Sequence, residues 1–348
     1  MSAVIPLALY AFFTYFGIYY INAQENTTIN NDSKINSSNS LRISGNNTPE
    51  NQEMNNSVGK SSYPTLPSSA ALSSSSLESG INVDTYPVGV TVNPSTKKVY
   101  VANEFSNTIS VVDIPSLKVD KIIGVENFPY AIDSNTLNNR VYVTNRGSNS
   151  VSVIDCSTNS ILYNISVEQS PIGIAVNPAA NWIYVSNLDS RSISVIDGIT
   201  NTVQDTIRIG REGKAGLPYG IAVNPLTNRI YVTDLGSNSL HVIDGNSNML
   251  ISSIPVGLKP VTITVDVRSN ILYVANHDSD NISVIDGSTN RLIKNIPAAG
   301  DKPVGISFNP ISNKLYVSNI GSETVTVLNT SENDNYKALK NITVNPST

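Results

Sequence analysis

From Tyr86 to near its C-terminus the chain alternates short apolar runs with polar clusters, and the alternation recurs with a nearly fixed period. In the first unit the runs are Val88–Val92, Lys98–Ala102, Thr108–Val112 and Lys118–Ile123. They are rich in Val, Ile, Thr and Tyr and are bounded by Gly, Pro, Asn and Ser, as strands are. These predicted strands are labelled A to D. Asn-Pro-Ser-Thr-Lys joins A to B and Asp-Ile-Pro-Ser-Leu joins C to D, and links this short fit antiparallel hairpins. Outside the N-terminal segment no window holds a helical period.

The anchor of the repeat is Tyr-Val-x-Asn/Asp, at Tyr100, Tyr142, Tyr184, Tyr231, Tyr273 and Tyr316, spaced 42, 42, 47, 42 and 43 residues apart. A proline lies 13 residues before each tyrosine, from Pro87 to Pro303. An Asx residue lies seven before, from Asn93 to Asn309, and another 13 after, from Asp113 to Asn329. Periods of this length mark stacked repeats. A lone four-stranded unit cannot cover both of its faces. Units stacked face to face about an axis do, and leave only short edges. The small residue near the start of each A strand (Gly89, Ala131, Gly173, Gly220, Thr262, Gly305) suits strands that converge on that axis.

The pattern therefore predicts an all-β chain, a single β-propeller of six four-stranded blades over residues 81–348. Leu77–Ile81 sits where one further D strand would end. Seven blades stay open only if this surplus segment, or another chain, completes one. Asn and Asp exchange freely at the Asx registers, as a turn cap tolerates and a set of metal ligands does not.

Ahead of the repeats, Ala3 to Ile21 is almost wholly apolar, and Ile21-Asn22-Ala23 offers a small-residue cleavage site. Residues 1–23 read as a secretory signal peptide. The alternative is an uncleaved membrane anchor through residues 3–21. No Lys or Arg precedes the segment to set its orientation. Residues 24–80 are dominated by Asn, Ser and Thr, which bury too little surface to fold, so a disordered stalk is expected. Asn-x-Ser/Thr sites fall at Asn26, Asn31, Asn36, Asn46 and Asn55, and again at Asn164, Asn281, Asn329 and Asn341. In an exported chain these are candidate glycosylation acceptors.

Composition narrows the function classes. Charged residues are 14% and the net charge is −5, so a basic nucleic-acid footprint is absent. Cys156 is the one cysteine, which excludes an intramolecular disulfide, and His241 and His277 are the two histidines. A metal centre built on Cys and His is therefore not expected, and no cofactor is.

Tyr142-Val143-Thr144-Asn145 spells the motif that names the YVTN family of β-propeller repeats. From about Tyr86 to Val344, roughly three quarters of its length, the chain resembles that family. Pro171 to Pro178 and Pro218 to Pro225 (Pro-x-Gly-Ile-Ala-Val-Asn-Pro) carry the resemblance further, as do Ser194 to Gly198 and Ser283 to Gly287 (Ser-Val-Ile-Asp-Gly). The resemblance implies an exported or cell-surface propeller of archaeal or bacterial type, and supplies no shared catalytic residues. Members often have seven blades, so six is a departure. A WD40 ring is disfavoured, since no Trp-Asp pair exists and Trp182 is followed by Ile183. Metal-dependent lactonase-like propellers are a nearer comparison, but no acidic ligand set stands in matching positions.

With A strands innermost, the D-to-A and B-to-C connections emerge on one face, by fold analogy the binding face. The candidate binding residues there are Phe105, Tyr130, Arg146, Tyr219, His277 and Asp278. Arg211 and Lys214 join them from Gly210–Leu217, a D-to-A connection lengthened by five residues that is expected to form a flap. His277, Asp278 and Asp280 form the nearest approach to a metal cluster, with no matching ligands elsewhere. His241 stands where Ser110, Ser152, Ser194 and Ser283 stand and reads as structural. Cys156 takes a C-to-D turn position that is glycine in later copies, with no base near it. The expected function is an extracellular, surface-displayed binding module for a glycan, peptide or protein partner, without catalysis. The alternatives are a structural component of a cell-surface layer and a metal-dependent hydrolase or lyase.

Overall fold

Alternation decides which way each repeat folds. In every copy the residues of the B and C strands point in turn to the two faces of a sheet, and both faces are apolar. The computed structural model describes residues 3–4, 80–211, 214–330 and 336–344. Six four-stranded antiparallel sheets result, each in the order A-B-C-D. Blade 1 consists of Pro87–Asn93, Lys98–Asn103, Thr108–Asp113 and Lys118–Gly124. Blade 4 consists of Pro218–Asn224, Arg229–Asp234, Ser239–Asp244 and Met249–Pro255. The all-β, six-bladed expectation holds, with D of blade 6 at Ala338–Thr343. Ala3–Val4 aside, the expected leader and stalk lie outside the described residues, with Asn26, Asn31, Asn36, Asn46 and Asn55. Among the described residues no helix is long and apolar enough to cross a membrane.

The Asx residues cap turns as their registers suggest. Asn93 Oδ1 accepts the amides of Ser95 and Thr96, and Asp155 Oδ1 those of Ser157 and Thr158. The asparagine of the Tyr-Val-x-Asn motif behaves differently. It turns its amide toward strand C, where Asn145 Nδ2 donates to Ser150 and Ser152.

No blade is stable by itself, because its large side chains are buried only by the next. Tyr100, Ile109, Val111 and Ile123 of blade 1 pack on Ile132, Val141, Val143 and Ile154 of blade 2. The same register is repeated at each junction through to blade 6. Each such side chain contributes about 1.5–3 kcal/mol on burial. A polar ladder runs alongside: Asn93 donates to Asn139, Asn135 to Asn181, Asn177 to Asn228 and Asn224 to Asn270. Nearer the axis, a Cβ on Gly220 would stand 2.3 Å from the Val261 carbonyl oxygen. Blade 5 meets the same crowding with Thr262, whose hydroxyl donates to the Val304 carbonyl at 2.8 Å.

The seam between the last and first blades is different. Val92, Val99, Val101 and Val112 of blade 1 are covered by Ile81 and Val83. Among the described residues no apolar cluster joins blade 6 to blade 1. Blade 1 also carries Lys97 where the later blades carry the ladder's accepting asparagine. The surplus strand expected at Leu77–Ile81 is displaced. The strand here is Asn82–Val83, antiparallel to Ala3–Val4, and residues 77–79 lie outside the described set.

Candidate functional site

One scaffold is repeated around the upper face. The carbonyl of the residue before each A-strand proline accepts the first amide of the B-to-C loop in the same blade. Glu104 donates to Tyr86, Arg146 to Phe128, Leu188 to Ser170 and His277 to Lys259. The pre-proline residue is left-handed at most of these places, with φ of 60° at Tyr86, 55° at Phe128, 55° at Ser170 and 47° at Lys259, although Leu217 of blade 4 keeps the same bond without it. Bulky side chains disfavour this conformation, at roughly 1 kcal/mol or more. Blades 1 and 2 nevertheless carry aromatic residues there.

Those two residues meet a third. Tyr86 stacks on Phe105 with centroids 4.4 Å apart and planes at 18°, and Phe105 meets Phe128 edge-on at 6.5 Å. All three rings are about half exposed. A Cβ at Gly147 would fall 2.4 Å from the Phe128 ring, so the ring lies directly on this loop. Contiguous exposed aromatic surface of this kind marks recognition sites.

Charge lies beside the stack. Glu104 is buried, and that burial pushes its carboxyl up, opposed by the positive charge of Arg146. Arg146 itself is exposed. Both charges act on the Tyr130 hydroxyl, whose ionisation is pushed upward first by burial and then by Tyr219. The Tyr130 and Tyr219 hydroxyls lie 2.8 Å apart. They come from the inner strands of blades 2 and 4, which are not neighbours, so they meet across the central opening and floor the mouth of the ring. A buried carboxyl beside a cation, under an aromatic wall, can bind a polar ring and abstract a proton from water.

Asp133 is a further titratable group, on the inner strand of blade 2 where other blades carry Thr, Ala or Ser. Its carboxylate accepts the amides of Val176 and Ser134, both at 2.8 Å. Burial outweighs these bonds and pushes its pKa up to about 6. The folded value exceeds the unfolded one, so the protonated form is favoured by folding. The stabilisation it gives is complete below about pH 4 and is lost as pH rises through 6. Urea melts between pH 4 and pH 7.5 are expected to show this loss in the wild type and not in Asp133→Asn.

The structure thus brings Phe105, Tyr130, Arg146 and Tyr219 together and separates them from the other candidates. His277 Nδ1 lies 2.6 Å from Asp278 Oδ1, and Lys259 Nζ lies 2.6 Å from Asp278 Oδ2. Both carboxylate oxygens are engaged, and the pair belongs to blade 5. No group of three metal-ligating side chains occurs among the described residues. In the lengthened connection Gly210–Arg211 pairs with Lys214–Ala215 as a small hairpin. Residues 212–213 and the side chains of Arg211 and Lys214 lie outside the described set. Asn164 and Asn341 are exposed, whereas Asn281 and Asn329 are half-buried.

The sequence model of the family described as "Lactonase, 7-bladed beta-propeller" matches residues 89–206, about a third of the chain. No curated protein matches the chain in sequence. Among solved structures, the Kuenenia stuttgartiensis hydrazine synthase is similar, with a TM-score of 0.66 and 19% identity over 72% of this chain and 85% of that one. At that identity the likeness shows the fold, a β-propeller. The family match corrects the expectation of a module without catalysis, because it points toward hydrolase activity.

Proposed function

We propose that the upper mouth of the ring, over blades 1 and 2, binds a cyclic polyhydroxylated ligand: a sugar or a sugar lactone. The observation that carries this reading is the exposed stack of Tyr86, Phe105 and Phe128 beside the buried Glu104. The C–H face of a sugar ring packs on aromatic surface, while Arg146 and the Tyr130–Tyr219 pair offer hydrogen bonds to its hydroxyls.

The lactonase match takes in Glu104, Tyr130 and Arg146 and favours hydrolysis of a cyclic ester as the chemistry. Glu104 takes a proton from the attacking water, and Arg146 opposes the charge that develops on the carbonyl oxygen. The ring C–O bond breaks, the proton passes to the leaving oxygen, and a hydroxy acid departs. On this reading residues 1–80 export the ring and display it at the cell surface, with Asn164 and Asn341 the most open of the described sequons.

Titration of acid released from glucono-δ-lactone and from γ-butyrolactone tests the reading. Saturable hydrolysis is expected for the sugar lactone. Phe105→Ala is expected to raise its KM by about 3- to 10-fold with little change in kcat, the worth of one aromatic contact. Hydrolysis no faster than buffer, together with no rise in melting temperature in millimolar gluconate, overturns it.

A further inference from the structure

Blade 4 departs from the repeat at two fixed positions at once, and places a serine at a third, where the other blades carry Ile, Asn or Thr. Blades 2 and 5 carry a chain of polar side chains across strands B, C and D. Asn145 donates to Ser152, which donates to Asn164, and Asn276 donates to Ser283, which donates to Asn295. In blade 4 the same positions are Asp234, His241 and Ser253. An aspartate at the first position can only accept, and histidine at the second offers it a ring N–H while keeping a second ring nitrogen for strand D.

The resulting geometry is a relay. Asp234 Oδ2 lies 3.0 Å from His241 Nε2, and His241 Nδ1 lies 2.8 Å from Ser253 Oγ. Asp234 and His241 are buried, and Ser253 is exposed on the outer strand. The Asp234 carboxylate also accepts the Ser237 hydroxyl and the amides of Leu217, Gly236 and Ser237. Burial alone would raise this carboxyl. The bonds, led by that from His241, outweigh it and hold the group well below the usual carboxylate range. The anion fixes the proton on Nε2 and leaves Nδ1 free to accept from serine. Roles of this kind, not chain order, define a nucleophilic triad.

We infer that Ser253, His241 and Asp234 form a second, nucleophilic site on the rim of the ring, acting on carboxylic esters with an apolar acyl chain. Ser253 Oγ bonds to the ester carbonyl carbon while its proton passes to His241 Nδ1. The C–O bond to the alcohol then breaks, and His241 returns the proton to the departing alcohol. Water attacks the acyl-Ser253 ester by the same route, which releases the acid and restores the hydroxyl. Strand D is a sheet edge, so the amide of Ser253 or those of its neighbours are unpaired and available to the oxyanion. Leu250 and Ile251 are exposed beside the serine and provide apolar surface for the acyl chain. Asp234 is the positioning residue.

The test is covalent labelling of the full chain with a fluorophosphonate probe, mapped by mass spectrometry, alongside hydrolysis of p-nitrophenyl butyrate. Labelling at Ser253 is expected, absent in Ser253→Ala and slowed by about 100-fold or more in His241→Ser. Asp234→Asn installs the residue of the other five blades. It is expected to lower the maximal labelling rate and leave the probe's reversible affinity unchanged. The triple variant Asp234→Asn, His241→Ser, Ser253→Asn rebuilds the polar chain of blades 2 and 5, so it keeps the fold while removing the chemistry. Glu104→Gln is expected to label normally, and the triple variant to retain lactone hydrolysis, which separates this site from the mouth. Absence of label on Ser253 in folded wild type, or labelling that persists at full rate in His241→Ser, overturns the inference.

Discussion

Tyr142→Ala is expected to destabilise the ring by about 3–5 kcal/mol, read as a fall in the urea midpoint, whereas Tyr142→Phe is expected to be neutral or slightly stabilising. The ring of Tyr142 is fully buried between blades 2 and 3, against Val151, Val153, Ile174, Ile183 and Val185. Deleting it opens a cavity that two β-sheets cannot close by small shifts. Among the described residues its hydroxyl has no hydrogen-bond partner, so phenylalanine removes an unsatisfied buried group. Tyr100 serves as the control. Its hydroxyl donates to Asn159 Oδ1 at 2.7 Å, and Tyr100→Phe is expected to cost about 1 kcal/mol. Equal losses for the two phenylalanine variants would show that the Tyr100–Asn159 bond adds nothing the unpartnered Tyr142 hydroxyl does not.

Glu104→Gln is expected to lower lactone hydrolysis by about 100- to 10,000-fold with the melting temperature nearly unchanged, since it removes a base and keeps the shape. The acid limb of the rate–pH profile carries the sign. Burial raises the Glu104 carboxyl, and the base works only when ionised. Activity should therefore fall at a pH above the ordinary glutamate range, about 4.3. Arg146 opposes that rise, so Arg146→Ala is expected to move the limb to still higher pH. A limb that stays in place, or moves down, would separate the two residues and remove the guanidinium from the mechanism.

The architecture was legible because each blade repeats the same solution. Tyrosine, proline and Asx registers recur six times, and the packing they direct is local to neighbouring units. The site was only partly legible. Phe105, Tyr130, Arg146 and Tyr219 could be placed on the upper face from the strand order. That Tyr130 and Tyr219 meet across the opening depends on the ring's curvature, which spacing does not encode. Glu104 looks in the sequence like one variable loop residue among many, because spacing does not show that it is buried. Asp133 sits in a register otherwise filled by Thr, Ala or Ser, a departure visible in the sequence. His241 taken singly reads as structural. The role inferred for it rests on its contact with Asp234, which stands where the other five blades carry asparagine. The internal repeat thus serves as its own control. Positions where the copies agree hold the ring, and positions where one copy departs, such as Asp133, Asp234 and His241, bring titratable groups into it.

The most direct test of the mouth as the functional centre is a crystal structure of the full chain with gluconate, the stable product of the sugar lactone. The hydroxy acid is expected against Phe105 and Tyr86, with its carboxylate toward Arg146. Gluconate ordered elsewhere on the ring, with the mouth holding only solvent at saturating ligand, would contradict it.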